Sequence, residues 1–346
     1  MGVRRILFIC GSLNQTSMMH SIAQQMPDVA AYFTPYYADG LIDALARRGY
    51  LDFTILGGQF KQSTMEYLES HNLTIDEYGR RHEYDAVVTC QDLIIPRNIR
   101  SRSVVLVQEG MTDPENFIYH VVKLLKLPRY FASTAATGLS NRYTAFCVAS
   151  EGYKHLFMSK GADMRKLIVT GIPNFDNCRA YTHNTFPYSG YTLCATSDMR
   201  ETYKYENRKA FIERARRIAG ASQLIFKLHP NENHSRAMDE IRKYAPEALA
   251  LCTGNAHEMV ANCSTFITRY SSLVFTAAAL GKTLHSDMDE AHVRWLMPVQ
   301  NGGTSSRAIA DVCRMVLEQK TVNAGQARTV RHHHHVVYPH YDVNVQ

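Results

Sequence analysis

The sequence predicts an α/β protein with two doubly wound, Rossmann-type domains that face a central cleft. Short apolar segments of three to six residues alternate with amphipathic segments along nearly the whole chain, a pattern typical of parallel βαβ units. The pattern pauses once, in Val169–Gly190, where two prolines and two glycines interrupt it. The chain has 346 residues, which also favours two domains at roughly 100–200 residues each.

The apolar segments place strands in both halves of the chain. In the first half these are Arg5–Cys10, Asp52–Leu56, Ala86–Cys90, Ser103–Val107, Ala145–Ala149 and Leu167–Thr170; in the second they are Tyr191–Ala195, Gln223–Leu228, Ala248–Cys252, Thr265–Thr268 and Thr283–His285. Amphipathic helices are predicted over Ala38–Arg48, Glu115–Leu125 and Asn207–Ala219. We therefore expect a first domain at residues 1–173, a linker at 174–190, and a second domain with a C-terminal helix and tail at 191–346.

Composition and charge restrict the class of protein. The chain is 45% hydrophobic with a net charge of +6, which favours anionic partners such as nucleotide phosphates, acidic glycans or lipid headgroups, or else a solvated basic surface. Basic residues are scattered and not interleaved with aromatic ones, which argues against nucleic-acid binding. The His332–His335 run is interpreted as a polar tail feature rather than a metal site.

The cysteines and the apolar runs predict a cytoplasmic location. The eight cysteines form no Cys-x-x-Cys pair, and several lie in apolar segments, as buried free thiols do. The opening "MGVRRILFICGS" has an apolar run too short for a signal peptide, and no stretch approaches the ~20 apolar residues of a membrane span. We expect a cytoplasmic protein, or one peripheral at the inner membrane surface.

Small polar residues follow the first predicted strand. Gly11, Ser12 and Asn14 precede a helix predicted to begin near Ser17. Such residues can bind a phosphate or a sugar hydroxyl, although an ordinary turn with a serine cap also explains them. The segment is neither a G-x-G-x-x-G nor a Walker motif, which disfavours dinucleotide or NTP binding.

An acidic residue follows the strand Ser103–Val107. Burial of Glu109 after this apolar run would raise its pKa toward the range of a general base. The alternatives are a structural carboxylate at the strand end, or Asp113 as the base, although Asp113 is also placed to cap a helix.

The segment "FKLHP" follows another apolar strand. Lys227 and His229 share a face because strand side chains alternate, and Pro230 ends the strand. A lysine and a histidine pointing into the cleft can hold a phosphate, the alternative being a surface charge pair.

Two serines open the next predicted helix. Ser271 and Ser272 precede "LVFTAAALG", so that their hydroxyls and the free amides could bind an anion, with Arg269 adding charge; serine capping alone is the alternative. We expect these serines to converge with Lys227 and His229 on one phosphate group.

The order of these motifs resembles that of GT-B-type bacterial glycosyltransferases. The Lys227–Pro230 motif, followed about 40 residues later by Ser-Ser, is similar to the HP and SS motifs of bacterial sialyltransferases and of capsule-type Kdo transferases, which hold the CMP portion of the donor. Gln108-Glu109-Gly110 is similar to their acidic-acidic-Gly motif, whose carboxylate is the general base, with glutamine in the first position. The resemblance covers the C-terminal half best, from about Val169 to Asp287.

Two further families share shorter segments. "FITRYSS" resembles the ITDYSS segment of teichoic-acid glycerophosphotransferases, which use CDP-glycerol, with Arg269 in place of aspartate. "VTGIPNFD" and "TSDMRE" are similar to interdomain segments of UDP-N-acetylglucosamine 2-epimerases. The second segment adds Thr196 and Ser197 to the residues expected at the nucleotide.

The resemblance implies a metal-independent glycosyltransferase of bacterial polysaccharide or capsule biosynthesis, without a cofactor. The implied donor is a nucleotide sugar, CMP-linked on the sialyltransferase model, and the acceptor a cell-surface glycan or glycolipid. Glu109 and His229 are the expected catalytic residues, Glu109 as the base and His229 on the leaving phosphate. The other expected residues hold the nucleotide (Lys227, Pro230, Ser271, Ser272, Thr196, Ser197) or the sugar or acceptor (Gly11, Ser12, Asn14, Gly110).

Three alternatives remain open from the sequence. These are a sugar-nucleotide 2-epimerase, a CDP-glycerol glycerophosphotransferase-like enzyme, and a non-catalytic relative that binds nucleotide or glycan. An epimerase needs no acceptor, whereas a transferase does.

Overall fold

Two parallel β-sheets, each with flanking helices, form the computed structural model, which describes residues 2–201 and 204–329. The prediction of two doubly wound α/β domains is confirmed. The His332–His335 run lies outside the described residues. None of the described helices is both long and apolar enough to cross a membrane.

The first sheet has six strands within the described residues, in the order β2-β1-β3-β4-β5-β6. They are β1 (Arg5–Cys10), β2 (Ala30–Pro35), β3 (Ala86–Thr89), β4 (Ser103–Val107), β5 (Ala145–Val148) and β6 (Leu167–Val169). In β1, which pairs with β2 on one side and β3 on the other, Ile6–Cys10 are almost wholly buried, as expected for a strand covered on both faces.

The second sheet has five strands within the same residues, in the order β11-β10-β7-β8-β9. They are β7 (Thr192–Ala195), β8 (Leu224–Lys227), β9 (Leu249–Leu251), β10 (Thr265–Ile267) and β11 (Thr283–His285). We call the two sheets, with their helices, the first and second lobes.

The helices cover both faces of these sheets. They are α1 (Leu13–Gln24), α2 (Gly40–Arg47), α3 (Gly58–Ser70), α4 (Phe117–Leu124), α5 (Glu151–Lys160), α6 (Arg208–Ala219), α7 (His234–Tyr244), α8 (Ala256–Asn262), α9 (Leu273–Ala279), α10 (Glu290–Leu296) and α11 (Ser305–Thr329). Parallel strands need such crossover helices, which explains the alternation seen in the sequence.

One predicted strand is wrong. Asp52–Leu56 forms turns, and the edge strand of the first sheet is Ala30–Pro35, which pairs with β1 in parallel from Arg5 opposite Ala30. The Asp52 carboxylate accepts a hydrogen bond from the Gly58 amide at 3.0 Å, and the Phe53 side chain is exposed. An apolar run that exposes its aromatic side chain gains little from joining a sheet.

The C-terminal helix belongs to the first lobe by its packing, although the sequence assigned it to the second domain. Ile309 and Cys313 of α11 are fully buried in a core shared with the first sheet. The amide of Ser305 donates to Asp176 Oδ2 at 2.9 Å, and Arg314 donates to the carbonyl of Gln25 at 2.6 Å. The chain therefore crosses back after α10 and ties the two lobes together.

All eight cysteines are free thiols, and seven are buried. Burial raises the pKa of each of the buried thiols, including Cys263 and Cys313, whose pKa rises to about 12. These thiols act as core side chains.

Candidate functional site

The carboxyl ends of strands from both sheets meet at a cleft of about 480 Å³. Ligands of open parallel sheets bind at such strand ends. The cleft is lined by eight of the predicted residues: Asn14, Glu109, Gly110, Thr196, Ser197, His229, Ser271 and Ser272. The two lobes therefore bring the predicted acceptor side and the predicted nucleotide side together.

Glu109 follows β4 and is held by two neutral donors from the first lobe. Ser12 Oγ donates to Glu109 Oε1 at 2.9 Å, and Gln15 Nε2 donates to Glu109 Oε2 at 2.5 Å. Burial raises the pKa of Glu109 above its usual 4.5, and the two hydrogen bonds only partly offset this effect. The site therefore holds an oriented carboxylate of increased basicity without a cationic partner in these contacts.

Gly11 allows this arrangement although it does not line the cleft. A Cβ at Gly11 would lie 2.1 Å from Gln15 Oε1 and 2.9 Å from its Cδ. Any larger residue would displace the Gln15 side chain from Glu109. Helix α1 begins at Leu13 rather than near Ser17, and Ser12 is its N-cap, with Oγ accepting from the Gln15 amide at 3.3 Å. Ser12 thus caps the helix and binds Glu109.

The hydrogen bonds of Gln108 explain why the Gln-Glu-Gly segment begins with a glutamine and not with an acidic residue. Its Nε2 donates to the carbonyl of Gly110 at 2.8 Å, and its Oε1 accepts from the amide of Ala149 at 2.9 Å. An ionised carboxylate cannot donate to a carbonyl, so an acidic residue could not make both bonds. Gln108 is buried and fixes the backbone that carries Glu109.

His229 lines the same cleft as Glu109 but comes from the second lobe, just beyond β8. The amide of Asn231 donates to His229 Nδ1 at 3.2 Å, so the neutral ring carries its proton on Nε2. Asp198 Oδ2 lies 3.8 Å from the same Nδ1. Pro230 lies outside the lining of the cleft, in a turn, and the strand already ends at Lys227 rather than at Pro230.

Lys227 does not point into the cleft as predicted. Its Nζ donates to the carbonyls of Leu228 at 2.8 Å and Cys252 at 3.0 Å, and the residue is 6% exposed. Burial lowers the pKa of this ammonium group. Strand β8 ends at Lys227, so strand alternation does not extend to His229, and the long lysine side chain folds back onto the end of β9.

A buried carboxylate that sequence reasoning missed supports the His229 loop. Glu232 accepts from the His229 amide at 2.9 Å and also from the Thr196 hydroxyl. Arg208 NH2 donates to Glu232 Oε2 at 2.8 Å, and the Glu232 side chain is fully buried. The segment "HPNE" is the only sequence signal, because its partner Arg208 lies on a separate helix.

Ser271 and Ser272 line the cleft but do not cap α9 in the usual way. Ser272, the N-cap residue, makes no side-chain capping bond, and Ser271 Oγ lies at 3.4 Å from the amide of Leu273. Arg269 was expected to add charge here, but its Nε donates to Asp287 at 2.8 Å. The serine hydroxyls, without the arginine, are thus the groups that face the cleft.

An aromatic wall completes the cleft and was not predicted. Tyr181 stacks on His257 with ring centroids 4.6 Å apart, and Phe175 packs edge-on to the same imidazole. Burial lowers the pKa of His257 to about 4, so this ring is neutral near pH 7. Phe175 and Tyr181 lie in the segment assigned to the linker, where breaker residues concealed any periodic signal.

The lobes also contact each other across the cleft. The Tyr270 hydroxyl donates to the carbonyl of Thr112 at 2.8 Å, and Lys204 Nζ lies 3.5 Å from Asp113 Oδ1. Asp113, the competing carboxylate of the sequence analysis, lines the cleft but does not cap α4, because Asn116 is the capping residue.

No protein-family model matches this chain, and no curated protein sequence is significantly similar to it. Solved structures do share its fold. UDP-GlcNAc 2-epimerase from Neisseria meningitidis, bound to UDP-GlcNAc, aligns with a TM-score of 0.53 at 11% identity, covering 90% of this chain and 100% of that one. UDP-N-acetylglucosamine 2-epimerase from Rickettsia bellii aligns with a TM-score of 0.53 at 11% identity, covering 95% and 100%.

A polymerase shares the architecture as well. A variant of the wall teichoic acid polymerase TagF soaked with CDPG aligns with a TM-score of 0.51 at 10% identity, covering 92% of this chain and 90% of that one. At such identities the similarity shows the fold alone, a two-domain α/β architecture of GT-B type.

Proposed function

We propose that this protein is a glycosyltransferase that takes a sugar from a nucleotide-activated donor and passes it to a hydroxyl of a glycan or lipid-linked acceptor. The observation that carries the proposal is the placement of Glu109 and His229 on opposite lobes of one cleft. Two-substrate transfer needs a base at the acceptor and stabilisation at the leaving group, and these are separate positions.

Glu109 acts as the general base for the acceptor. The raised pKa brings it nearer to the working pH, where a base accepts a proton most effectively. Its bonds from Ser12 and Gln15 hold the carboxylate in one orientation, as a positioned base requires. Asn14 and Gly110 flank it and contact the acceptor or the transferred sugar.

The second lobe stabilises the leaving phosphate. His229 with its proton on Nε2, together with the Ser271 and Ser272 hydroxyls, provides donors for the phosphate oxygens as negative charge develops. Thr196 and Ser197 contribute to the nucleotide site from the adjoining strand end. We propose that no divalent metal is required, so turnover should persist in a chelator.

The aromatic wall is the proposed site for the base of the nucleotide. Phe175 and Tyr181 line the cleft beside Ser271 and present apolar ring surface. CMP, CDP and UDP are the first nucleotides to test, since structures of the same fold were solved with CDPG and with UDP-GlcNAc.

A 2-epimerase is the second candidate, because three carboxylates, Glu109, Asp113 and Asp198, line the same cleft. Removing and returning a proton at a sugar carbon requires paired acid and base groups. Such an enzyme would convert a sugar nucleotide without any acceptor.

The two candidates are separated by following a panel of CMP-, CDP- and UDP-linked donors by chromatography, with and without glycan acceptors, in the presence of EDTA. Release of nucleotide that depends on an acceptor supports transfer. A change in the sugar without release identifies an epimerase. Nucleotide binding without either reaction would overturn both and leave a binding protein.

A further inference from the structure

Residues 117–131 expose an unusual amount of apolar surface. Phe117 and Leu124 are 81% and 80% exposed, Leu125 is 62% exposed, and Phe131 is 57% exposed. Ile118, Leu127 and Tyr130 are also exposed. Proteins that remain free in water rarely expose so many large apolar side chains in one segment, so this surface is expected to be covered by a partner.

Only a small part of the segment packs in the core of the protein. Helix α4 buries Tyr119 and Val122 against Ala132, Ala135 and Ala136, in a core separate from that of the two sheets. The other apolar side chains of the helix and of the following turn face away from this core. Their apolar character therefore has no explanation in the packing of the chain itself.

The charge of the same segment is of one sign. Residues 116–131 contain no aspartate or glutamate and include Lys123, Lys126 and Arg129. Lys123 and Lys126 are exposed. Apolar side chains combined with cations, without acids, are typical of surfaces that lie on anionic lipid.

A cavity of about 430 Å³ opens among these cations. It is lined by Tyr119, Lys123, Lys126, Leu127, Arg129 and Lys160, among others. The Tyr119 hydroxyl and Arg129 Nε are buried and have no hydrogen-bond partner among the described residues. The ammonium groups of Lys123 and Lys160 lie 5.7 Å and 5.4 Å from the centre of the Tyr119 ring. Unsatisfied buried donors beside cations indicate a site for an anionic group.

We propose that residues 117–131 are a membrane-docking surface for anionic bilayers. Phe117, Leu124, Leu125 and Phe131 enter the headgroup region, and the cavity beside Tyr119 takes the phosphate of a lipid headgroup. The occupant is a lipid surface because the apolar and the cationic groups belong to one segment. A soluble phosphate would use the cavity but leave the apolar side chains uncovered.

The docking surface is physically connected to the cleft. The Thr134 hydroxyl, in the turn packed against α4, accepts from the amide of Asp113 at 2.8 Å and donates to its carboxylate at 2.9 Å. Asp113 is one of the residues that line the cleft. Docking would thus place the cleft beside the bilayer, where a lipid-linked acceptor is accessible. This corollary rests on the proposed function, whereas the docking itself does not.

The experiment is flotation of the full chain with vesicles of phosphatidylcholine alone, or with about 30 mol % phosphatidylglycerol. We expect the protein to float with the anionic vesicles and to be released by high salt. Lys123→Gln with Lys126→Gln should weaken binding by at least tenfold, since each cation near an anionic surface contributes about fivefold. Phe117→Ser with Leu124→Ser should abolish flotation.

The matched control is Leu41→Ser with Phe53→Ser, at equally exposed apolar residues elsewhere in the first lobe. This variant should float like the wild type, and all variants should retain the wild-type circular dichroism spectrum. Absence of wild-type flotation, or equal loss with the control, would overturn the proposal. Self-association that Phe117→Ser dissolves, without vesicle binding, would instead assign the surface to a second copy of the chain.

Discussion

The two loops that face each other across the cleft are held in different ways. In the first lobe, Glu109 is oriented by the neutral donors Ser12 and Gln15, and its charge has no buried counter-ion in those contacts. In the second lobe, the His229 loop is tied to Glu232, whose charge is paired with Arg208. The first arrangement leaves the Glu109 carboxylate basic. In the second, the Glu232 carboxylate holds the backbone of the His229 loop.

This difference assigns distinct roles to groups that look alike in the sequence. Glu109 and Glu232 both follow apolar strands; Glu232 is buried, and Glu109 is partly buried at the wall of the cleft. Burial is the largest influence on the pKa of Glu109 and raises it. The Glu232 carboxylate, by contrast, forms an ion pair with the Arg208 guanidinium. An acid without a cationic partner is suited to proton transfer, and a paired one to holding the backbone in place.

The largest expected effect is that of Glu109→Gln. Loss of the base should lower turnover by about 100- to 10,000-fold, while nucleotide binding is retained. Steady-state rates and thermal shifts with the same nucleotide check both parts. Glu115→Gln, in the exposed part of the same loop, is the control and should be near wild type.

The pH dependence of Glu109 has a defined sign. Because the folded-state pKa is raised, this group stabilises the fold below its usual pKa of 4.5, and that contribution is lost as the pH rises through the folded-state pKa. Glu109→Gln should therefore be no less stable than the wild type at pH 7. A large loss of stability there would mean that the carboxylate is structural.

Glu232→Gln should affect stability more than any other change at the cleft. It removes one of the two buried carboxylates paired with Arg208, while Glu206 stays 2.9 Å from the guanidinium. Loss of a buried hydrogen bond to a charged group typically costs about 1.5–3 kcal/mol. Urea unfolding at pH 7 measures this loss. Glu240→Gln removes the half-buried pair with Arg200 and should cost about 1 kcal/mol or less. Equal effects of the two changes would contradict the scaffold role.

His257 should make stability depend on pH in the acidic range. Its folded-state pKa is lowered from 6.5 to about 4, so its contribution is present above pH 6.5 and is lost as the pH falls toward 4. In the wild type this group should lower the unfolding free energy by up to about 3 kcal/mol between pH 6.5 and pH 4. His257→Gln should remove that part of the pH dependence. Parallel pH curves for the variant and wild type would show that the ring titrates normally.

Lys227→Met should have the smallest effect on binding. Loss of the bonds to two carbonyls should lower the unfolding free energy by about 1–2 kcal/mol, with nucleotide affinity changed less than about twofold. Calorimetric titration with the best nucleotide is the check. A large loss of nucleotide affinity with an unchanged unfolding free energy would show that Lys227 binds the phosphate after all.

The sequence predicted the sheets well, because parallel βαβ units leave apolar runs between amphipathic helices. It also placed Glu109, His229, Ser271 and Ser272 at strand ends, and these residues do line one cleft. Strand position determines which edge a residue occupies, but not where a long side chain turns, which is why Lys227 was misplaced.

Other features depend on contacts between distant segments. The Arg208–Glu232 pair joins residues 24 positions apart, and α11 returns to a sheet whose strands end before residue 170. Phe175 and Tyr181 enter the cleft from a segment without periodicity. No local pattern predicts these contacts, because they form only when segments far apart in the sequence pack together.

The central claim is that His229 binds the phosphate of a nucleotide in the cleft. The increase in thermal stability on adding a nucleotide tests this claim most directly. A nucleotide at 100 times its Kd should stabilise the wild type by about 2.7 kcal/mol. We predict that His229→Ala loses this shift while keeping its unliganded melting temperature within a few degrees. An unchanged shift in His229→Ala would contradict the account.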